Sequence, residues 1–225
     1  MATLFETRQN SLLSLPDGNT PANPMLRMGL PAVASKWDLL ALGGRMFNLK
    51  QTTIGTACVA PTQNGAGIVT TMPWVRFGVP TGTTLFFHHL NLSISAAAGT
   101  ANEIALIYAP TDTFTSSTGA ALVPLNWRND NPRASAVTNC YIGATAALNV
   151  EAAYSSARVL YQDVLSAAFA ATYYTQYVVD KWWNTFVPII GPASVLFFFQ
   201  GNTTAPQGYF SMDWAEVPTV SVKET

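Results

Sequence analysis

Thr84-Leu85-Phe86-Phe87-His88-His89-Leu90-Asn91-Leu92-Ser93-Ile94-Ser95 is the stretch on which the fold turns. Phe86, His88, Leu90, Leu92 and Ile94 recur at every second position, while His89, Asn91, Ser93 and Ser95 fill the gaps. Successive side chains of a strand point to opposite faces, so this alternation predicts a β-strand with one face buried and one wet. One-sided burial belongs to antiparallel sheets. In this register one of the two adjacent histidines turns to the core and the other to solvent or a partner. Histidines on opposite faces cannot grip one metal ion; only a β-bulge at that point would bring them together.

Outward from this strand, Ala98-Gly99-Thr100 reads as a turn leading to a second strand over Glu103 to Ala109, with Ile104, Leu106 and Tyr108 alternating. The two are expected to lie side by side. Further strands are predicted over 52–60, 67–72, 74–79, 136–142, 158–165, 173–179, 185–190, 194–200 and 208–217. In the last, Phe210, Met212 and Trp214 alternate with Tyr209, Ser211 and Asp213. The run from Phe186 to Phe199 is too short, and too broken by Pro188 and Pro192, to span a bilayer as a helix. It reads as two buried strands around a Gly-Pro turn. Ala34 to Leu42 predicts a short helix closed by Gly43-Gly44, and the Ala-rich segments 144–157 and 167–174 fit either a helix or a strand.

This succession of strands separated by Gly, Pro, Asn and Thr turns, without βαβ alternation or an internal repeat, predicts an all-β fold. The expected architecture is an antiparallel, jelly-roll-like β-sandwich with one or two short helices. Its expected domain covers residues 36–225, preceded by an extended arm over 1–35. The prolines at 16, 21, 24 and 31 forbid a continuous helix in that arm. Its Leu12, Leu13, Leu15, Met25, Leu26 and Met28 are costly to leave in water, so the arm is expected to order itself on a neighbouring subunit.

Composition narrows the class. Of 225 residues, 49% are hydrophobic and only 10% charged, and the formal net charge is −1. Without a basic surplus to neutralise phosphates, nucleic acid is not an expected partner. A lone soluble domain usually carries about 25–35% charge on its surface, whereas a subunit that covers its outside with neighbours needs less. The N-terminus lacks the basic and apolar regions of a secretory signal, and no membrane partner is expected. The two cysteines, Cys58 and Cys140, are expected to be free thiols rather than a disulfide framework.

Motifs for chemistry are missing: no phosphate-binding loop, no G-x-G-x-x-G, no H-E-x-x-H, no C-x-x-C and no nucleophile elbow. Neither an enzyme nor a cofactor is expected. Asn129-Asp130-Asn131 offers oxygens of the kind Ca²⁺ prefers, but such residues also hold turns through their own backbone, which is the reading adopted. Asp213 and Glu216, three apart on a strand, face opposite sides and cannot act as a carboxylate pair. Among the aromatic clusters, Trp182-Trp183 stands out. Both cannot face one core, so one of them is a candidate anchor for a subunit contact or a platform for a sugar.

Several segments carry a family resemblance. These are Gly44-Arg45-Met46-Phe47, Val79-Pro80-Thr81-Gly82-Thr83, Ser95 through Thr100, Leu122-Val123-Pro124-Leu125-Asn126, Gly191-Pro192-Ala193 and Met212-Asp213-Trp214-Ala215-Glu216-Val217. Over residues 43–218 the chain resembles small β-sandwich or jelly-roll structural proteins of tailed bacteriophage particles. The resemblance implies a non-enzymatic, multi-copy virion protein, a capsid decoration or cement protein or a capsid subunit, assembled in the host cytoplasm. Its implied partners are copies of itself, with a trimer expected, and other virion structural proteins. The alternative is a glycan- or receptor-binding sandwich of a tail or fibre, using an exposed Trp182 or Trp183.

Overall fold

Ser35 begins the described chain with a capping box. Its Oγ accepts from the Asp38 backbone N–H while Asp38 Oδ2 accepts from the Ser35 N–H, starting helix α1 (Lys36–Leu42). Gly43 and Gly44 end the helix by donating back to the Leu39 and Ala41 carbonyls. The computed structural model describes residues 35–51, 56–61, 68, 72–96, 102–110, 119–130, 132–143, 157–165, 177–185, 187–201 and 205–220. The arm residues Leu12, Leu13, Leu15, Met25 and Leu26 lie outside these, as do residues 52–55, most of the segments at 67–72 and 144–157, and all of 167–174.

Among the described residues thirteen strands follow the helix: β1 (Met46–Lys50), β2 (Cys58–Val59), β3 (Val75–Val79), β4 (Thr83–Ala96), β5 (Asn102–Ala109), β6 (Ala120–Ala121), β7 (Leu125–Asn126), β8 (Thr138–Ile142), β9 (Arg158–Leu165), β10 (Tyr177–Trp182), β11 (Pro188–Ile190), β12 (Ala193–Gly201) and β13 (Gln207–Pro218). They form two antiparallel sheets packed face to face. One has the order β10-β4-β13-β1-β7, with β11 also on β4 and β2 on β13; the other runs β6-β8-β3-β12-β5-β9.

The pairing has a nested logic. Set aside β8 and the short strands, and eight remain in chain order: β1, β3, β4, β5, β9, β10, β12, β13. The first pairs with the last, the second with the seventh, the third with the sixth and the fourth with the fifth. A single long antiparallel hairpin, rolled into two facing sheets, gives this nesting. It is the jelly-roll arrangement.

One expectation is overturned by this roll. β4 and β5, consecutive in sequence, are not neighbours: β4 lies between β10 and β13, and β5 between β12 and β9. Alternation reports which face of a strand is buried, but not which strand lies beside it. The same crossing separates β11 from β12 on either side of Gly191-Pro192. Glycine is required there, because a Cβ at 191 would sit 2.1 Å from the Pro80 carbonyl oxygen. Of β11 only Ile189 is buried, so it is a half-exposed strand rather than the buried one expected.

One continuous core fills the space between the sheets. Trp74, fully buried, packs its ring 5.1–5.8 Å from Phe197, Phe199 and Phe210 and donates its Nε1–H to the Val59 carbonyl. Trp214 stacks on Phe77 at 5.0 Å, and its Nε1–H donates to Glu216 Oε1. That buried carboxylate also accepts from Ser135 Oγ and the Ala136 N–H, which satisfies a charge inside the protein and ties the segment before β8 to the last strand. Both cysteines are free thiols, and Cys140 belongs to the core, where burial pushes its pKa to about 12.

Candidate functional site

The inner face of β4 carries Leu85 and Phe87, then Leu90, Leu92 and Ile94. Two consecutive residues, His88 and His89, separate the two groups, so the parity changes between them. The register with β13 shows why: Asp213 lies opposite His89 but Trp214 lies opposite Phe87, leaving His88 as an extra residue. This is a β-bulge, a device that re-aims side chains. Both histidines therefore emerge on the outer face of the sheet. The expectation that one of them turns to the core is corrected, and so is the placing of Phe86 and His88 on the core side.

Around the bulge the outer face collects a polar row flanked by tryptophans. Trp182 on β10 lies opposite His89 on β4, His89 opposite Asp213 on β13, and Asp213 opposite Asn48 on β1. His89 Nε2 is 2.6 Å from Asp180 Oδ1 and Nδ1 is 3.3 Å from Asp213 Oδ2. Carboxylates only accept, so the short contact places an N–H on Nε2. Asp213, buried on this face, also accepts from Asn48 Nδ2 at 2.7 Å and from Trp127 Nε1 at 3.2 Å. It is thus the hub of the patch.

Three indoles surround the row. Trp182 stacks on the His89 ring with centroids 3.9 Å apart, yet remains 49% exposed. Trp127, just beyond β7, is equally exposed and meets His88 edge-on at 6.3 Å. Trp37, on helix α1, approaches His88 to 4.2 Å, and Trp182 meets the same ring at 5.0 Å. His88 thus sits among three tryptophans. Burial holds its pKa below the usual histidine value, and His89 acts in the same direction, while Asp213 and Asp38 pull the other way. Its Nδ1 has no hydrogen-bond partner among the described residues.

Helix α1 and the loop after β7 are tied together, which sets Trp37 and Trp127. Arg128 donates to both Asp130 oxygens and to the Leu42 carbonyl, and Asn126 Nδ2 donates to the Gly44 carbonyl. Asp130 therefore faces a guanidinium, and it is this ion pair, with Asn126 accepting from the Arg128 N–H, that organises the turn.

The tryptophan pair divides as its spacing requires. Trp183 turns inward, 8% exposed, with its ring 5.6 Å from Phe87. It is a core residue, so only Trp182 is available as a surface contact. Asp213 and Glu216 face opposite sides of β13, the former in the outer patch and the latter bonded to Trp214. The gathering of Trp37, Asn48, Trp127 and Asp180 around the histidines was missed from sequence. The available signal was Asp180, two residues from Trp182 and hence on the same strand face.

Chemically, the patch orients groups. Each nitrogen of His89 faces a carboxylate, and the two lie on opposite sides of the imidazole, so no single ion could be held by all three groups. Among the described residues no group of three or more His, Cys, Asp or Glu side chains is arranged to hold a metal. None of the helices described is long and apolar enough to cross a membrane. Comparison of the chain with protein-family models, with characterised proteins and with solved structures found no match.

Proposed function

We propose that this protein is a non-enzymatic structural subunit of a virus particle, of the tailed-phage type its sequence resembles, present in many copies. It would decorate or cement the shell, or form part of it, through contacts with its own copies and with other virion proteins. The observation that carries this reading is a jelly-roll sandwich with a surface poor in charge. The jelly roll is a recurrent architecture of viral capsid domains, though not of those alone. Only 10% of the residues are charged, and Arg45, Arg76, Asp213 and Glu216 are buried, so the surface is poorer still. Exposed apolar side chains meanwhile occur on several elements, among them Leu42, Val123, Val159, Val164 and Val220.

Such a surface suits a subunit whose outside becomes an interface. Each contact contributes about 25 cal/mol per Å² of apolar area, gross, and repetition over many copies makes a modest contact resist force. The deciding experiment is size-exclusion chromatography with light scattering on the full chain and on a version lacking residues 1–35. A defined oligomer that falls apart without the arm is the expected result. A monomer in both forms would overturn self-assembly.

A further inference from the structure

We propose that the outer-face patch built on Trp182 and Asp180 is a binding site for a neutral oligosaccharide, independent of the assembly role. A saccharide presents an apolar C–H face and a rim of hydroxyl donors. The patch offers the complement of both. Trp182, backed by the stacked His89 ring, leaves about half of its surface open, 49%, and Trp127 offers as much on the other side of His88. Beside Trp182, on the same edge strand, lies an oxygen acceptor. Asp180 has a side chain 56% exposed and spends only Oδ1 on His89, leaving Oδ2 without a hydrogen bond among the described residues.

The platform is assembled before any ligand arrives. Asp213 accepts a hydrogen bond from Trp127, and its other oxygen lies 3.3 Å from Nδ1 of His89, the ring on which Trp182 stacks. One buried carboxylate thereby sets the position of both exposed indoles. Pre-ordering of this kind lowers the entropic cost of binding.

Other occupants fit less well. A quaternary ammonium group needs an empty space walled by aromatic rings, and the space among these three indoles is filled by His88. A protein partner would have to strip water from Asp180, whereas interface centres are depleted of charge. Acidic sugars would meet two carboxylates, Asp180 and Asp213, so the ligand class is neutral. Trp127 and Trp182 both touch His88 from different sides, so the ligand that uses both must be longer than one sugar ring.

The test is isothermal titration calorimetry of the full chain with lactose, cellotriose, mannotriose, chitotriose and sialyllactose. The same titrations on Trp182→Ala and Asp180→Ala follow, with oligomeric state checked by light scattering. The proposal expects at least one neutral probe to bind, and either substitution to weaken that binding by about tenfold or more. Both side chains are exposed, so the thermal midpoint should barely move, which keeps lost binding distinct from lost folding. Three results would overturn the site: no neutral probe binds, only sialyllactose binds, or binding survives both substitutions. If Trp182→Ala instead dissociates the oligomer and no probe binds, the patch is a contact between copies.

Discussion

The two faces of the seven-stranded sheet are built from the same strands by opposite rules. The inner face is aromatic and dry, with Phe87, Leu90, Phe210, Met212 and Trp214 all buried in one cluster. Its polar exception, Glu216, has three donors to itself. The outer face at the same level joins charged and aromatic groups, His89 between two carboxylates and Trp182 and Trp127 half open. What separates these regimes on β4 is one residue, His88. With it skipped, Leu85, Phe87, Leu90, Leu92 and Ile94 alternate without a break against Phe86, His89, Asn91 and Ser93. The lesson is that a bulge can re-aim the outer surface of a strand while leaving the core of the same strand untouched.

The harshest way to break the inner face is Trp214→Ala. It removes a buried ring stacked on Phe77 and takes one donor from Glu216, an expected loss of about 3–5 kcal/mol. Measured by urea unfolding, that is a large share of the roughly 5–15 kcal/mol typical of a domain. Failure of the variant to fold would agree with this. An unchanged midpoint would mean that the two sheets are not held together as described.

Asp213→Ala attacks the hub of the outer face. Two donors, Asn48 Nδ2 and Trp127 Nε1, lose their acceptor, and about 2–3 kcal/mol of stability should go with them. Tryptophan fluorescence should also shift, because both exposed indoles are released. A stable variant with wild-type emission would show that Asp213 does not position them.

Deleting His88 sharpens the comparison. The core alternation closes up, and the losses are its ring contacts and the bond its carbonyl accepts from the Trp183 N–H, in total about 1–2 kcal/mol. The deletion should therefore fold, with a smaller loss than Trp214→Ala, while any ligand binding at the outer patch falls. A deletion as damaging as Trp214→Ala would mean that the bulge is part of the core.

The smallest effect is one of pH. His88 binds its proton less readily folded than unfolded, so the unfolded chain takes up more protons as pH falls below about 6.5. Stability from this group is present above that value and is lost as pH drops through the depressed folded value. The thermal midpoint of the wild type should accordingly fall more steeply as the pH drops below about 6.5 than that of His88→Gln. Parallel curves would assign the slope to other groups.

Much of the fold was legible because it rests on local alternation. The strand expected at 158–165 matches β9, and those at 194–200 and 208–217 fall within a residue of β12 and β13. Phe210, Met212 and Trp214 face inward as their spacing predicts. Strand partnership was not legible, since the roll pairs β4 with β13 and β10, both far away in sequence. The patch was half legible. Trp182 and Trp183 had to part, but the bulge was masked because Phe86 and His88 extend the apolar phase of Leu90, Leu92 and Ile94. The apolar Phe86 does lie buried, only on the opposite face.

The nesting of first strand on last has a consequence for how this domain can be attached to anything. Met46 lies beside Ala215, Glu216 donates its N–H to the Arg45 carbonyl, and helix α1 packs against Ala215 and Val217. The chain enters and leaves the sandwich at neighbouring points. Sequence appended before residue 35 or after residue 220 is thus tethered at one pole, like two cords from a single socket. The same proximity makes the domain a candidate for circular permutation, with a linker joining its entering and leaving segments at this pole.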